Sequence, residues 1–331
     1  MPKSEIHRKR LNLRGIQLSK VTINIEILFN SSKSLEPKHQ EIKFGKYKIR
    51  TIPTLKESLT DTNENLILEF QDVWKKSQLY SYPEKEGDYI LSLLSLLFEA
   101  KIDFVASKSN NVQGTIKQRS SFYSRGTLET SFDIEDMLSK LNSMDIDLLR
   151  QFLRSCNVYR TALSLIDNNP TLSFFLLVTA IEAISGKVIG KTEAVNFEEF
   201  ITTFLPKSLK DEIGDEKLLL LLIKEAYKMR CAFTHGGIAI STATRSADRS
   251  NRNYVKHYVE KKETYSPSLR WFSKVVRAVL TNYLEQLKKT NAESKISDIA
   301  REEAVMYVKP AKTIGAGKLV TTKDLDLDFK G

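Results

Sequence analysis

The hydrophobic pattern of the chain changes period partway along. Residues 21–28, Val-Thr-Ile-Asn-Ile-Glu-Ile-Leu, alternate apolar and polar positions and predict a strand. Residues 41–49 predict a hairpin around Gly45, and residues 66–70 and 102–105 predict two further strands. Residues 89–99, mostly Leu and Ser, predict a short buried helix. Pro37, Pro53 and residues 61–65 punctuate these elements as loops. Residues 107–125 are rich in Ser, Asn, Gln, Lys and Arg and predict an exposed basic loop.

From Ile134 the period is helical, with Asp133 placed to cap the start. Residues 144–166 put Leu149, Phe152, Leu153, Tyr159 and Ala162 on one broad face, and Asn168-Asn169-Pro170 ends that helix. A second helix runs from Thr171 or Leu172 to Ser185 and is apolar nearly all round, which marks a central position; Gly186 is its expected stop. Residues 197–205 and 208–213 predict short helices, and residues 215–235 a long one stopped by Gly236-Gly237. Residues 238–253 predict a polar connection, and residues 267–289 a last amphipathic helix. Short strands are expected at 304–308 and 318–322.

The resulting fold class is α+β. Residues 1–130 form an expected β-rich N-terminal domain, a sensor or RNA-contact unit. Residues 131–290 form an all-α antiparallel bundle of roughly four main helices, and residues 291–331 a tail. A composition of 41% hydrophobic and 28% charged residues is that of a globular chain and argues against disorder. Two cysteines, Cys156 and Cys231, exclude a disulfide framework and a four-thiolate zinc site. His7, His39, His235 and His257 have no close-paired ligand spacing, so neither metal nor cofactor is expected. The charged start lacks an apolar core of the secretory kind, and no apolar run looks long enough to cross a bilayer. The expectation is a cytoplasmic protein with no membrane partner. A net charge of +10 favours anionic partners. The excess gathers at residues 3–20, 101–125 and 224–262, while acids cluster at 133–147 and 193–216.

The candidate chemistry lies on the long helix. Arg230-Cys231-Ala232-Phe233-Thr234-His235 combines a permanent cation matched to phosphate with the side chain best suited to move protons near neutral pH. Phosphodiester cleavage through a ribose 2′-hydroxyl needs both functions. Five positions apart on an unbroken helix, the two residues lie about 140° apart; a frayed end would let His235 turn towards Arg230. The spacing alone is weak, because Arg252–His257 repeats it in the polar connection. Context favours the first pair. Glu182 is a carboxylate in the most apolar helix, where it needs a cationic partner, and Arg230 is the obvious one. Tyr227 precedes Arg230 by three positions, on the same side of the helix. On spacing alone, the favoured reading of Arg230 and His235 is a pair of cations at a helix C-terminus.

The order of three motifs carries a resemblance. They are Tyr159-x-x-Ala162-Leu163, Thr179-Ala180-Ile181-Glu182-Ala183, and Tyr227-x-x-Arg230-x4-His235-Gly236-Gly237. Over about residues 145–285 the chain resembles the HEPN superfamily, specifically its ApeA-like branch. The resemblance implies a helical domain that dimerises, or forms a higher oligomer, to build a metal-independent endoribonuclease site. Arg230 and His235 would be catalytic, with Glu182 and Tyr227 in support. It also implies a role in anti-phage defence or a toxin–antitoxin system, with RNA (tRNA among the candidates) as substrate and an antitoxin or phage-derived trigger as partner. The residue after the motif Arg is often polar in active members and is Cys231 here. The alternative is therefore a catalytically degenerate dimer that senses RNA or protein or acts as a scaffold. Candidate RNA contacts are Lys228, Arg245, Arg249, Arg252 and Lys256, with Lys117, Arg119 and Arg125 in the basic loop, where Phe122 and Tyr123 could stack bases.

Overall fold

The alternating segments pair into an antiparallel sheet. In the computed structural model the described residues are 20–31, 34–35, 41–51, 64–75, 84–109, 112–115, 127–128, 134–240, 242–259, 261–288 and 295–306. Strands β1 (Lys20–Ser31), β3 (Glu41–Phe44), β4 (Tyr47–Thr51), β5 (Glu64–Lys75), β6 (Ile102–Ser109) and β7 (Val112–Thr115) lie in the order β3-β4-β5-β1-β6-β7. Short β2 (Ser34–Leu35) pairs separately with β8 (Thr127–Leu128). Gly45 sits at the β3–β4 turn with φ +52, in the left-handed region that glycine adopts without cost. The period-two pattern buries Phe44, Tyr47, Ile49, Leu66, Leu68 and Phe70.

The sheet packs on helix α1 (Glu84–Phe98), which begins earlier than the Leu-Ser run suggested. Then come α2 (Ile134–Ser143), α3 (Ile146–Leu165), α4 (Pro170–Ile189), α5 (Glu193–Phe204), α6 (Lys207–Ile213), α7 (Glu216–Gly236), α8 (Thr242–Arg249), α9 (Leu269–Glu285) and α10 (Lys295–Met306). A hairpin of β9 (Tyr254–Val259) and β10 (Lys262–Pro267) separates α8 from α9. The fold is α+β, and one continuous cluster of buried apolar side chains runs from the sheet through α1 into the helices.

Central α4 packs against α3, α5, α7 and α9. The Asn169 side chain accepts from the Leu172 N–H at 3.1 Å, and Pro170 opens the helix, where its missing N–H costs nothing. The helix does not stop at Gly186. It continues to Ile189 and ends at Gly190, whose φ of 71° is left-handed. The physical stop is the buried Asn196 of α5. Its side chain accepts from the Lys191 N–H at 2.7 Å and donates to the Lys191 carbonyl at 2.5 Å. At 20 residues α4 is long and apolar enough, by length and composition, to cross a membrane, contrary to the expectation drawn from a shorter helix.

Four other expectations change. Residues 107–109 and 112–115 are strand, so the basic loop is shorter than expected; Lys117, Arg119, Phe122, Tyr123 and Arg125 lie outside the described residues, as do Asp133, Pro37, Pro53 and residues 318–322. Asn65, expected in a loop, is strand in β5. The polar connection after α7 contains helix α8, and Arg252–His257 leads into strand β9. Residues 304–306 are helix, because Ile296, Ile299, Ala300 and Glu303 are buried at helical spacing in α10, which packs on α1 and α3.

Candidate active site on helices α4 and α7

Helix α7 starts at Asp215, whose carboxylate accepts from the N–H groups of Lys217 at 2.8 Å and Leu218 at 3.3 Å. Leu219, Leu222, Ile223 and Ala226 bury its inner stripe. The last turn closes at Gly237, with φ +62, whose N–H donates to the Phe233 carbonyl at 3.0 Å; the Ile238 N–H donates to the Ala232 carbonyl at 3.4 Å. The Thr234 hydroxyl donates back to the Arg230 carbonyl at 2.9 Å. The helix therefore runs unbroken through His235, and the end is not frayed. Arg230 and His235 stay on different faces, roughly 140° apart. His235 is exposed.

Helix α4 runs antiparallel to α7. Phe175 lies against Phe233 with ring centroids 5.3 Å apart, and the Ile240 N–H reaches the Thr171 hydroxyl at 3.4 Å. This arrangement brings Glu182 to Arg230. The guanidinium Nη2 is 3.0 Å from the Glu182 carboxylate, with the Arg side chain 21% and the Glu side chain 13% exposed. The Phe175 ring lies 5.9 Å from the guanidinium carbon, a cation–π contact. Phe175 was not singled out by sequence reasoning. Its signal is the seven-residue step to Glu182, two helical turns, which puts both on the face towards α7.

The electrostatics are those of a partly dry ion pair. Burial pushes the Glu182 carboxyl above its ordinary range, against the pull of Arg230. Burial works against the Arg230 charge, but the Glu182 carboxylate outweighs it and holds that group above its usual range. Tyr227, half-buried with its ring 5.3 Å from that of Phe197, is pushed up by burial and then by the same carboxylate. Glu182 Oε1 and Arg230 Nε are buried without a hydrogen-bond partner. The pair occupies Nη2 of a five-donor fork, so it fixes the guanidinium without exhausting it.

The other sequence-selected residues are scattered. Lys228 is 73% exposed and lies 3.6 Å from Glu225. Arg245, Arg249 and Arg252 are exposed on and just after α8. Lys256 is on β9, 2.6 Å from Glu263. Cys231 is half-buried beside Arg230. Among the described residues no three His, Cys, Asp or Glu side chains gather as a metal site. No protein-family model matches the chain, and neither a curated protein nor a solved structure is similar to it.

Proposed function

We propose that the chain is a cytoplasmic, metal-independent endoribonuclease of the HEPN type, serving prokaryotic anti-phage defence or a toxin–antitoxin pair. The observation that carries the reading is Arg230 held, about one-fifth exposed, on α7 by Glu182 and Phe175, one helical turn and a residue before an exposed His235. Arg230 holds the scissile phosphate and stabilises the charge that builds on it. His235 takes the proton from the ribose 2′-hydroxyl or gives one to the departing 5′-oxygen. The 2′-oxygen forms a bond to phosphorus as the bond to the 5′-oxygen breaks. The products are a 2′,3′-cyclic phosphate and a 5′-hydroxyl.

Two proton transfers need two groups, and one copy offers one His at this end of α7. Because the unbroken helix holds Arg230 and His235 on separate faces, the reading requires a homodimer, in which a second copy completes the site across a two-fold axis. Purified protein should cut structured RNA in excess EDTA. His235→Ala should abolish cutting while keeping the wild-type melting temperature, and Arg230→Ala should abolish cutting with a lowered melting temperature, because it strands the sheltered Glu182 carboxylate. Wild-type rates in both variants, or cutting that stops when metal is removed, would overturn the proposal. A dimer that binds RNA or protein without cutting it is the second reading. Cys231, half-buried in the place after Arg230, favours it. RNA binding without cleavage by the wild-type chain would establish that reading.

A further inference from the structure

The hairpin of β9 and β10 carries two adjacent exposed large hydrophobic side chains, Tyr258 and Val259. Its six cross-strand pairs run from Tyr254↔Pro267 at the base to Val259↔Lys262 at the tip. The base is anchored: the Ser268 N–H donates to the Asn253 carbonyl at 2.8 Å, and Ser266 and Pro267 are buried. The outer half is bare. Tyr258 is 68% exposed and Val259 51%. Lys261 at the tip has φ +66, a conformation that costs a non-glycine residue roughly 1 kcal/mol.

Alternation places Tyr254, Lys256 and Tyr258 on one face of β9, with Tyr265 and Glu263 beside them on β10. Lys256 Nζ lies 5.9 Å from the Tyr258 ring and 6.0 Å from the Tyr265 ring, and the Tyr265 ring lies tilted against that of Tyr254, centroids 5.9 Å apart. This is a ladder of rings and one cation whose outer ring has no cover. Same-face positions on a strand repeat roughly every 6.8 Å, close to one step of an extended nucleic-acid strand.

Beside the hairpin stands α8. The Asp248 carboxylate faces inward, accepting from the N–H groups of Leu269 at 3.2 Å and Arg270 at 3.0 Å, which fixes α8 to the start of α9. With that acid turned inward, Arg245, Arg249 and Arg252 face solvent and have no ion partner among the described residues. The hairpin also leaves the molecule near His235. β10 packs on α7. Phe272 of α9 stacks on Phe174 while Phe233 of α7 meets Phe175, so the hairpin base and the end of α7 meet at one end of α4.

We propose that the β9–β10 hairpin and α8 form an arm that grips single-stranded RNA beside the candidate site, with a base stacked on Tyr258 and phosphates taken by Arg245, Arg249 and Arg252. The choice of RNA rests on the ribonuclease reading. The preference for unpaired over paired strands rests on the exposed ring, because a base inside a duplex offers no free face.

The test uses the full chain and a fluorescent 2′-O-methyl oligouridine of about 12 nucleotides, within the usual single-strand site size. The methyl group blocks 2′-hydroxyl attack, so the wild type can be titrated without cutting its probe. Tyr258→Ala should weaken binding about tenfold, Tyr258→Phe should retain it, and a blunt duplex of equal length should be indifferent to either change. Arg249→Ala with Arg252→Ala should weaken binding further and flatten its salt dependence. Undiminished binding by Tyr258→Ala, an equal loss in Tyr258→Phe, or displacement of the probe by polyglutamate as readily as by unlabelled strand would overturn the proposal. The two readings fail separately. If Tyr258 governs binding but native RNA survives in EDTA, the ribonuclease reading falls and the arm stands. If RNA is cut but Tyr258→Ala binds like wild type, the arm falls and the nuclease stands.

Discussion

Arg230 is held by one ion pair and one ring. A carboxylate as sheltered as Glu182 would be costly alone, and a cation on the neighbouring helix offsets that cost. That partnership is legible in the sequence, because a single acid inside Thr179–Ile184 has to be answered from another helix. Phe175 is harder to read, since an aromatic residue on an apolar helix has many uses and only the antiparallel pairing selects this one. If Glu182 acts by positioning Arg230, Glu182→Ala should lower the cleavage rate at saturating RNA by more than tenfold, and Glu182→Gln, which still accepts a hydrogen bond, should recover most of it. Equal losses in both variants, matched by equal losses of thermal stability, would reduce Glu182 to a purely structural role.

Elements follow the sequence where stop and start chemistry is local. Asp215 and Gly237 delimit α7 as their residue types predict. Helix α4 departs from its local signal, because its end is set by Asn196 from α5 and not by Gly186. This difference is measurable. A Cβ on Gly186 would meet nothing nearer than Asn196 Nδ2 at 3.8 Å, so Gly186→Ala should raise stability by about 0.5–1 kcal/mol. Gly190→Ala, at φ +71, should lower it by about 1 kcal/mol. Paired thermal melts check both signs, and a destabilised Gly186→Ala would restore Gly186 as the stop. The β9–β10 hairpin is missed by sequence reasoning for a different reason: the sequence between Val259 and Lys262 is Glu-Lys, without the Asn-Gly or Asp-Gly pair that usually announces a hairpin. Helix α10 hides behind the β-branched and aromatic residues that follow it, and only burial against α1 and α3 selects the helix.

At the scale of the whole molecule, sheet and helices share their core, and buried polar bridges tie the sheet and α10 to α1. Glu86 of α1 accepts from the Tyr47 hydroxyl at 2.5 Å and from the Ser297 hydroxyl at 2.9 Å, linking the sheet to α10. Glu303 of α10 accepts from Tyr89 of α1 and lies 3.2 Å from Arg154 of α3. Burial keeps the Tyr89 and Tyr159 phenols protonated well above the ordinary tyrosine range, with Glu303 adding to the effect at Tyr89, and burial pushes Tyr283 up to about 12. Unfolded phenols ionise near pH 10, before these native ones. The unfolded state therefore binds fewer protons, and stability falls as pH rises from about 10 towards 12. The thermal midpoint at about pH 11 should lie clearly below that at about pH 9, and coincident melts would contradict this.

The same scale holds the central functional claim, that Arg230 and His235 cut RNA through its own 2′-hydroxyl in a dimer. The most direct measurement is of the ends left on RNA after incubation with the wild-type chain and with His235→Ala in excess EDTA. Wild type should leave 2′,3′-cyclic phosphate and 5′-hydroxyl ends, and His235→Ala should leave the RNA whole. Ends bearing a 3′-hydroxyl and a 5′-phosphate, or the same cyclic ends at the same rate from His235→Ala, would contradict the claim.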